Sequence, residues 1–309
     1  MKRPFRIGTR GSALALWQAN YIKDLLSDSF PALNPEIYII KTTGDRNLES
    51  PLSEIGGKGV FVKEIEESLL SEKIDIAVHS MKDLPAILPE GLAIGAVAER
   101  QDPRDVLISK RGLKLNELPE GSGVGTGSLR RAAQLLALRP DLRVLPIRGN
   151  VDTRLKKLKE GDEYDAIILA AAGVERMGLA GDITEKIPPD VMIPAPGQGI
   201  IAIECRENDT KSAGIISKIN HHETSLAAVS ERAFLKKLAG DCNVPAGCHA
   251  RVDRGSVSMS GILASPDGRV MVREKLSGGI DNTALLGEKL ADLILDKGGR
   301  EILDSLSSP

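Results

Sequence analysis

The octapeptide Val78-His79-Ser80-Met81-Lys82-Asp83-Leu84-Pro85 sets one carboxylate beside a lysine and near a hydroxyl, just beyond an apolar run. Asp75-Ile76-Ala77-Val78 reads as a buried strand. Asp83 then belongs past the C-terminal edge of a sheet, which is where open α/β sheets bind ligands. A lone acid at such an edge can hold and pass a proton. The structural alternative is that Asp83 caps its turn and pairs with Lys82.

Bases gather at four other turns: Gly8-Thr9-Arg10-Gly11-Ser12, Gly56-Gly57-Lys58-Gly59, the run from Gly123 to Arg131, and Arg148-Gly149-Asn150-Val151-Asp152-Thr153-Arg154. Each places glycine, a hydroxyl or backbone N–H groups beside a base where a helix is expected to begin. Helix N-termini hold anions because their first N–H groups lack partners and the macrodipole is positive there. Arginine adds a planar fork that matches carboxylate or phosphate. Gly123, Gly125 and Gly127 lack the G-x-G-x-x-G spacing, and Gly57-Lys58-Gly59 is not a P-loop. A solvated or helix-end role explains any one of these arginines. Their recurrence at similar turns points to a polyanionic ligand facing a single proton-handling acid.

The third chemical feature is Gly240-Asp241-Cys242-Asn243-Val244-Pro245-Ala246-Gly247-Cys248-His249, read as a loop between a helix and a strand. Cys242, with polar neighbours in an exposed loop, is a nucleophile candidate, whereas Cys205 ends an apolar strand and reads as a small buried hydrophobe. Cys242, Cys248, His249, His221 and His222 fit no standard zinc spacing, so no metal is expected. Nothing local orients His249 toward Cys242 as a thiol–imidazole pair would require.

The elements that must carry these groups alternate over the first two-thirds of the chain. Strands are expected at Arg6–Gly8, Glu36–Lys41, Asp75–Val78, Leu92–Val97, Val106–Ile108, Gly123–Gly125, Arg143–Leu145, Ala166–Leu169 and Ile200–Ile203. Helices are expected from Ser12 (with Leu14, Trp17, Tyr21, Ile22 and Leu25 on one face), over Val60–Leu70, over Leu129–Leu138 and over Val151–Leu158. This alternation implies parallel sheets with covering helices, as two α/β domains flanking a cleft. A helix near Leu226–Leu238 and strands at Ala250–Val252, Val257–Leu263 and Arg269–Leu276 follow. Helices at Thr283–Leu295 and Arg300–Leu306 complete a small α+β domain. The expected division is 1-99 with 198-219, then 100-197, then 220-309, with hinges at Glu99–Asp105 and Gln198–Gly199.

Composition excludes several partners. The 309 residues are 41% hydrophobic and 27% charged, ordinary for a folded chain able to bury more than one core. Aromatics at 3% and a net charge of −2 argue against a nucleic-acid or anionic-membrane binder. Ile7-Gly8-Thr9-Arg10 interrupts any signal-like apolar run, and no uncharged stretch reaches membrane length. Three cysteines in this context predict a cytoplasmic protein with reduced thiols.

In order along nearly its full length, the chain resembles the porphobilinogen deaminase (hydroxymethylbilane synthase) family. The resemblance lies in G-T-R-G-S-A-L-A-L-W-Q-A at Gly8–Ala19, G-G-K-G-V-F-V-K-E at Gly56–Glu64, V-H-S-M-K-D-L-P at Val78–Pro85 and G-T-G-S-L-R-R at Gly125–Arg131. It continues through R-G-N-V-D-T-R at Arg148–Arg154, P-A-P-G-Q-G at Pro194–Gly199 and C-N-V-P-A-G at Cys242–Gly247. Asp241 departs from the small residue expected before that cysteine, and Cys248-His249 also differs from the common pattern. The resemblance implies two periplasmic-binding-protein-like α/β domains plus a small α+β C-terminal domain. It implies a monomeric enzyme with a dipyrromethane cofactor held through a thioether to Cys242. That enzyme joins four porphobilinogen molecules head to tail with loss of ammonia and releases 1-hydroxymethylbilane by hydrolysis. By the same resemblance Asp83 is catalytic. Ser12, Ser80, Lys82, Thr126, Ser128, Arg130, Arg131, Arg148, Arg154 and Gly173 bind the cofactor. Arg10, Gln18, Lys58, Arg148, Arg154 and Arg176 bind substrate. Two rivals stand beside this reading. One is a non-catalytic anion-binding or sensor module. The other is a phosphate-ester or nucleotide transferase, for which a metal-binding carboxylate cluster is missing.

Overall fold

The computed structural model describes residues 3–43, 62–238 and 244–307. The chain folds as two compact units, Met1–Gln101 with Ile200–Ser225, and Asp102–Gly199 with Leu226–Pro309. In the first, β1 (Phe5–Thr9) leads into α1 (Ala13–Ser29). Ser12 caps α1 by accepting a hydrogen bond from the Ala15 N–H, which satisfies one of its open donors. Gln18, Ala19, Ile22 and Leu26 form its buried face, and Trp17, Tyr21 and Leu25 pack against the same core while partly exposed. Then come β2 (Pro35–Ile39), α2 (Lys63–Leu70), β3 (Ile76–Ser80) and β4 (Leu92–Val97). The helix expected from Val60 is seen from Lys63; positions 60 and 61 lie outside the described residues.

The chain continues through β5 (Asp105–Ser109), β6 (Gly123–Gly125), α3 (Leu129–Leu138), β7 (Arg143–Leu145) and α4 (Val151–Glu160). It then forms β8 (Ala166–Ala170), α5 (Ala171–Arg176) and β9 (Glu185–Ile187). β10 (Ile201–Arg206) joins the first sheet, followed by α6 (Thr210–Ile216) and α7 (His222–Lys237). The last elements are β11 (Ala246–Asp253), β12 (Ser256–Ala264), β13 (Met271–Gly279), α8 (Thr283–Ile294) and α9 (Arg300–Ser307).

These strands make three sheets, ordered β2-β1-β3-β10-β4, β7-β6-β8-β5-β9 and β11-β12-β13. The first two are mixed, which corrects the expectation of parallel sheets. β10 runs antiparallel to β3 and β4, and β5 runs antiparallel to β8 and β9. β5 and β10 are the strands that enter each sheet from the other, so no crossover helix within one sheet forces them parallel. Each sheet carries its own core: Ile7, Ile76, Val78 and Ile203 beneath α1, and Val106, Ile108, Ile167 and Leu169 in the second. The third sheet packs on α7 and α8 through Phe234, Leu290 and Ile294.

The expected loop up to His249 is also corrected. β11 begins at Ala246, so Gly247, Cys248 and His249 are strand residues, paired with Ile262, Gly261 and Ser260 of β12. Cys248 alternates inward and is fully buried in the core of that sheet. Among the described residues no helix is long and apolar enough to cross a membrane, and no group of histidine, cysteine and acidic side chains has the makings of a metal site.

Candidate active site

In the first unit the local geometry follows from where apolar residues fall. β3 ends at Ser80, and Met81–Asp83 form a single 3-10 turn. The Met81 N–H donates to the Ile200 carbonyl at 3.0 Å, and the Leu84 N–H donates to the Met81 carbonyl at 3.1 Å. Met81 and Leu84 are buried and anchor both ends of the turn. Asp83 between them is left exposed. Among the described residues no ion pair or hydrogen bond holds its carboxylate, so the alternative of an Asp83–Lys82 pair finds no support in the geometry. Lys82 is half-buried in the same turn.

α1 approaches this turn with its N-terminus. Gln18, nearly fully buried, donates from Nε2 to Ser80 Oγ at 2.8 Å and ties the helix to the strand end. One pocket is lined by Arg10, Ser12, Gln18, Ser80 and Asp83, together with His79. Five residues drawn from two motifs about 60 positions apart therefore share a single concavity, lined by one carboxylate, one guanidinium and the N-terminal end of α1.

The second unit deploys its bases differently. After β6, the Thr126 N–H donates to Leu145 O, Thr126 Oγ1 accepts from the Ser128 N–H at 3.2 Å, and Ser128 Oγ caps α3. Arg130 and Arg131 lie in the first turn of α3 and are about 95% buried, each exposing only 5% of its surface. Arg130 Nη1 donates to Asp105 Oδ2 and to the Ile193 carbonyl, both at 2.7 Å. Arg131 Nε donates to Asp105 Oδ1 at 2.9 Å, and its Nη1 to Ile168 O at 3.2 Å. Gln198 Nε2 also donates to Asp105 Oδ1, at 2.9 Å. Burial opposes ionisation of Asp105, but the two guanidiniums overcome it and hold the carboxyl well below the usual range. Two cations on one anion leave this buried group with net positive charge. Arg130 Nε is buried without a hydrogen-bond partner.

Arg148 is half-buried at the turn before α4. Gly149 takes φ +113°, and a Cβ there would meet Thr153 at 2.7 Å, so this turn requires glycine. Arg154 Nε donates back to Gly149 O at 2.7 Å. β8 runs directly into α5, which buries Gly173 and Arg176; Arg176 Nη2 donates to Gly199 O at 2.9 Å. Lys58 and the cofactor candidate Cys242, with Asp241 before it, lie outside the described residues.

Two groups escaped sequence reasoning. Asp105 falls in the expected hinge Glu99–Asp105, though its place at the start of an apolar strand is a signal. Gln198, inside the Pro194–Gly199 motif, orients that carboxylate.

Residues 5–214 match the family model "Porphobilinogen deaminase, dipyromethane cofactor binding domain", and residues 225–296 match "Porphobilinogen deaminase, C-terminal domain". Porphobilinogen deaminase of Pelobacter propionicus is 49% identical over 304 residues, 98% of this chain and 97% of that protein. The Geobacter sulfurreducens enzyme of the same name is 49% identical over 298 residues, 96% and 93% of the two chains. The chain belongs to the porphobilinogen deaminase family. Residues 5–214 carry the family's dipyromethane cofactor-binding domain, which favours the enzyme over the sensor module. Solved structures that resemble it distantly include the aliphatic sulphonate binding protein SsuA of Escherichia coli (13% identity, TM-score 0.42, covering 79% of this chain and 73% of that one). Another is the periplasmic VFT2 domain of Bordetella pertussis BvgS (15%, TM-score 0.41, covering 69% and 85%).

Proposed function

We propose that the family reaction runs here with Asp83 as the catalytic group, Cys242 as the covalent anchor of dipyrromethane, and the arginine-bearing turns as carboxylate receivers. In this reading the enzyme is a transferase that condenses four porphobilinogen molecules head to tail, expels ammonia at each step and releases 1-hydroxymethylbilane by hydrolysis. The observation that carries it is the gathering of Arg10, Ser12, Gln18, Ser80 and Asp83 on one pocket.

The donor set fits a dipyrromethane. Each of its rings offers acidic arms and one N–H, and this pocket pairs a guanidinium and a capped helix N-terminus with a carboxylate not engaged by any described residue. When bound, the cofactor supplies the free pyrrole α-carbon from which the chain extends. Arg10 and the α1 N-terminus receive acetate or propionate arms. Ser80, fixed by Gln18, and Lys82 orient a ring beside Asp83. Asp83 accepts the pyrrole N–H of incoming porphobilinogen, stabilises the positive charge that develops as ammonia departs, and takes or returns the proton.

From the second unit Thr126, Ser128, Arg148, Arg154, Gly173 and Arg176 are assigned to cofactor and substrate arms. Arg130 and Arg131 act there chiefly through the positive charge left over on their Asp105 group. Lys58 completes the assignment of bases. A cytoplasmic, monomeric enzyme is part of the same proposal; the burial of Cys205 and Cys248 as free thiols is in keeping with a reducing compartment.

Intact mass tests the anchor. The wild-type protein should carry a dipyrrole adduct, and Cys242→Ala should match its translated mass and fail to form tetrapyrrole. An unmodified wild-type chain that still turns over porphobilinogen would sink the assignment.

A further inference from the structure

Behind the Asp83 turn lies a cluster that the reaction above does not use. Along β3, Val78 and Ser80 face α1, whereas Ala77 and His79 face α2. On β10, Ile203 and Cys205 share the α1 face, which leaves Glu204 on the α2 side. α2 closes over that side and adds Glu66. Glu66, His79 and Glu204 are 7%, 5% and 0% exposed. His79 Nε2 lies 3.1 Å from Glu204 Oε2. Neither Glu204 oxygen, nor Glu66 Oε1, nor His79 Nε2 forms a well-directed hydrogen bond.

Other charges nearby are already engaged. Glu64 of α2 accepts from the Thr43 N–H and hydroxyl, while Lys63 and Glu67 are exposed. Arg206 of β10 donates to the Leu69 and Ile74 carbonyls and pairs with Asp209. Arg6 of β1 pairs with Asp75, and β4 brings no charged residue. Two buried carboxylates facing one imidazole cannot all be left bare, because an uncompensated charge in such a site is costly.

We propose that Glu66, Glu204 and His79 form a buried proton-sharing triad that holds β3 against β10 and so positions Ser80 and Asp83 for turnover. His79 and Glu66 are positioning residues in this scheme. The strand pair is the lever: His79 is registered on Ala202 and Ala77 on Glu204, and two residues beyond His79 the same pairing fixes Met81 to Ile200. Burial, reinforced by the Glu204 charge and opposed by His79, pushes the Glu66 carboxyl up to about 7. The triad therefore keeps a proton on Glu66 below that pH and releases it above, adding a negative charge behind the strand that ends at Ser80.

The inference rests on the Asp83 reading only in its kinetic arm, and one measurement on the holoenzyme is independent of it. The infrared spectrum should contain a carboxylic-acid C=O band that disappears as pH rises through about 7 and is missing from Glu66→Gln. In turnover, wild-type kcat should fall about tenfold per pH unit on the alkaline side with KM unchanged. Relative to its own acid-side kcat, Glu66→Gln should not show that fall. A wild-type spectrum with no titrating acid band, or the same alkaline fall in both proteins, overturns the triad. If Glu66→Gln does not fold, the wild-type band decides alone. Intact bands alongside a fully active Asp83→Asn would break the catalytic assignment and leave the triad standing.

Discussion

The N-terminus of α1 and the N-terminus of α3 are written with the same residue types: glycine, a hydroxyl cap and arginine. In α1 the arginine precedes the cap, Arg10 before Ser12. In α3 the arginines follow it, Arg130 and Arg131 after Ser128. A base before the cap stands on the incoming loop, beside the open N–H groups, and Arg10 lines the pocket that holds Asp83. A base in the first turn belongs to the helix body. α3 turns its Arg130–Arg131–Gln134 face inward onto Asp105. Offset from the cap thus separates an arginine that lines a pocket from two that are buried on a carboxylate. Arg148 likewise precedes its cap, standing two positions before Asn150 of α4.

The sharpest way to break this comparison is at the two carboxylates. Asp83→Asn should lower kcat by about 10²–10⁴-fold. Because the side chain is exposed, stability should stay within about 0.5 kcal/mol in a thermal melt. A Tm drop with near-normal kcat would make Asp83 structural. Asp105→Ala should do the reverse and cost about 3–5 kcal/mol of folding stability, because it strands two buried guanidiniums. The acid side of the stability profile reads the same group. The folded-state value of Asp105 is depressed, so its contribution is present at neutral pH and is lost as pH falls below the ordinary carboxylate value and on through the depressed one. Asp105→Asn should flatten that acid limb in urea titrations across pH.

Arginine variants sharpen the contrast at lower amplitude. Arg10→Leu should raise KM for porphobilinogen about tenfold, the scale of one charged hydrogen bond, and leave Tm in place. Arg131→Leu should lower Tm. Equal Tm losses in the two would erase the distinction drawn from the cap offset. The smallest expected change is Ser128→Ala, about 1 kcal/mol of stability from a lost cap. Ser12→Ala should cost a similar amount and also raise KM, since its helix end faces the pocket.

Much of this was written locally. β4, β6, β7 and α3 have the bounds that periodicity and capping predict, because each is a short run whose apolar pattern and flanking turn residues agree. The placement of Asp83 one turn past a buried strand was likewise legible. What the sequence hid was non-local. The antiparallel course of β5 and β10 depends on which sheet each strand enters, and nothing within either strand records that. The start of β11 at Ala246 was masked by Pro245 and Gly247, which read as loop until pairing with β12 is known. The burial of Arg130 and Arg131 required Asp105, a partner 25 residues away from Arg130 that no helical or strand spacing links to them. α5 was passed over because Ala171–Arg176 continues an apolar strand without a polar break.

The placing of β10 has a consequence for biogenesis. A central strand of the amino-terminal sheet is translated about 100 residues after β4, between whose edge and that of β3 it must fit. At ~5–20 residues per second the ribosome leaves that seat vacant for roughly 5–20 s, long enough for a holding chaperone to bind two unzipped strand edges. The first region to emerge is therefore among the last to be finished. Nascent chains arrested before residue 200 should be protease-sensitive over β3 and β4, and those released beyond 206 protected.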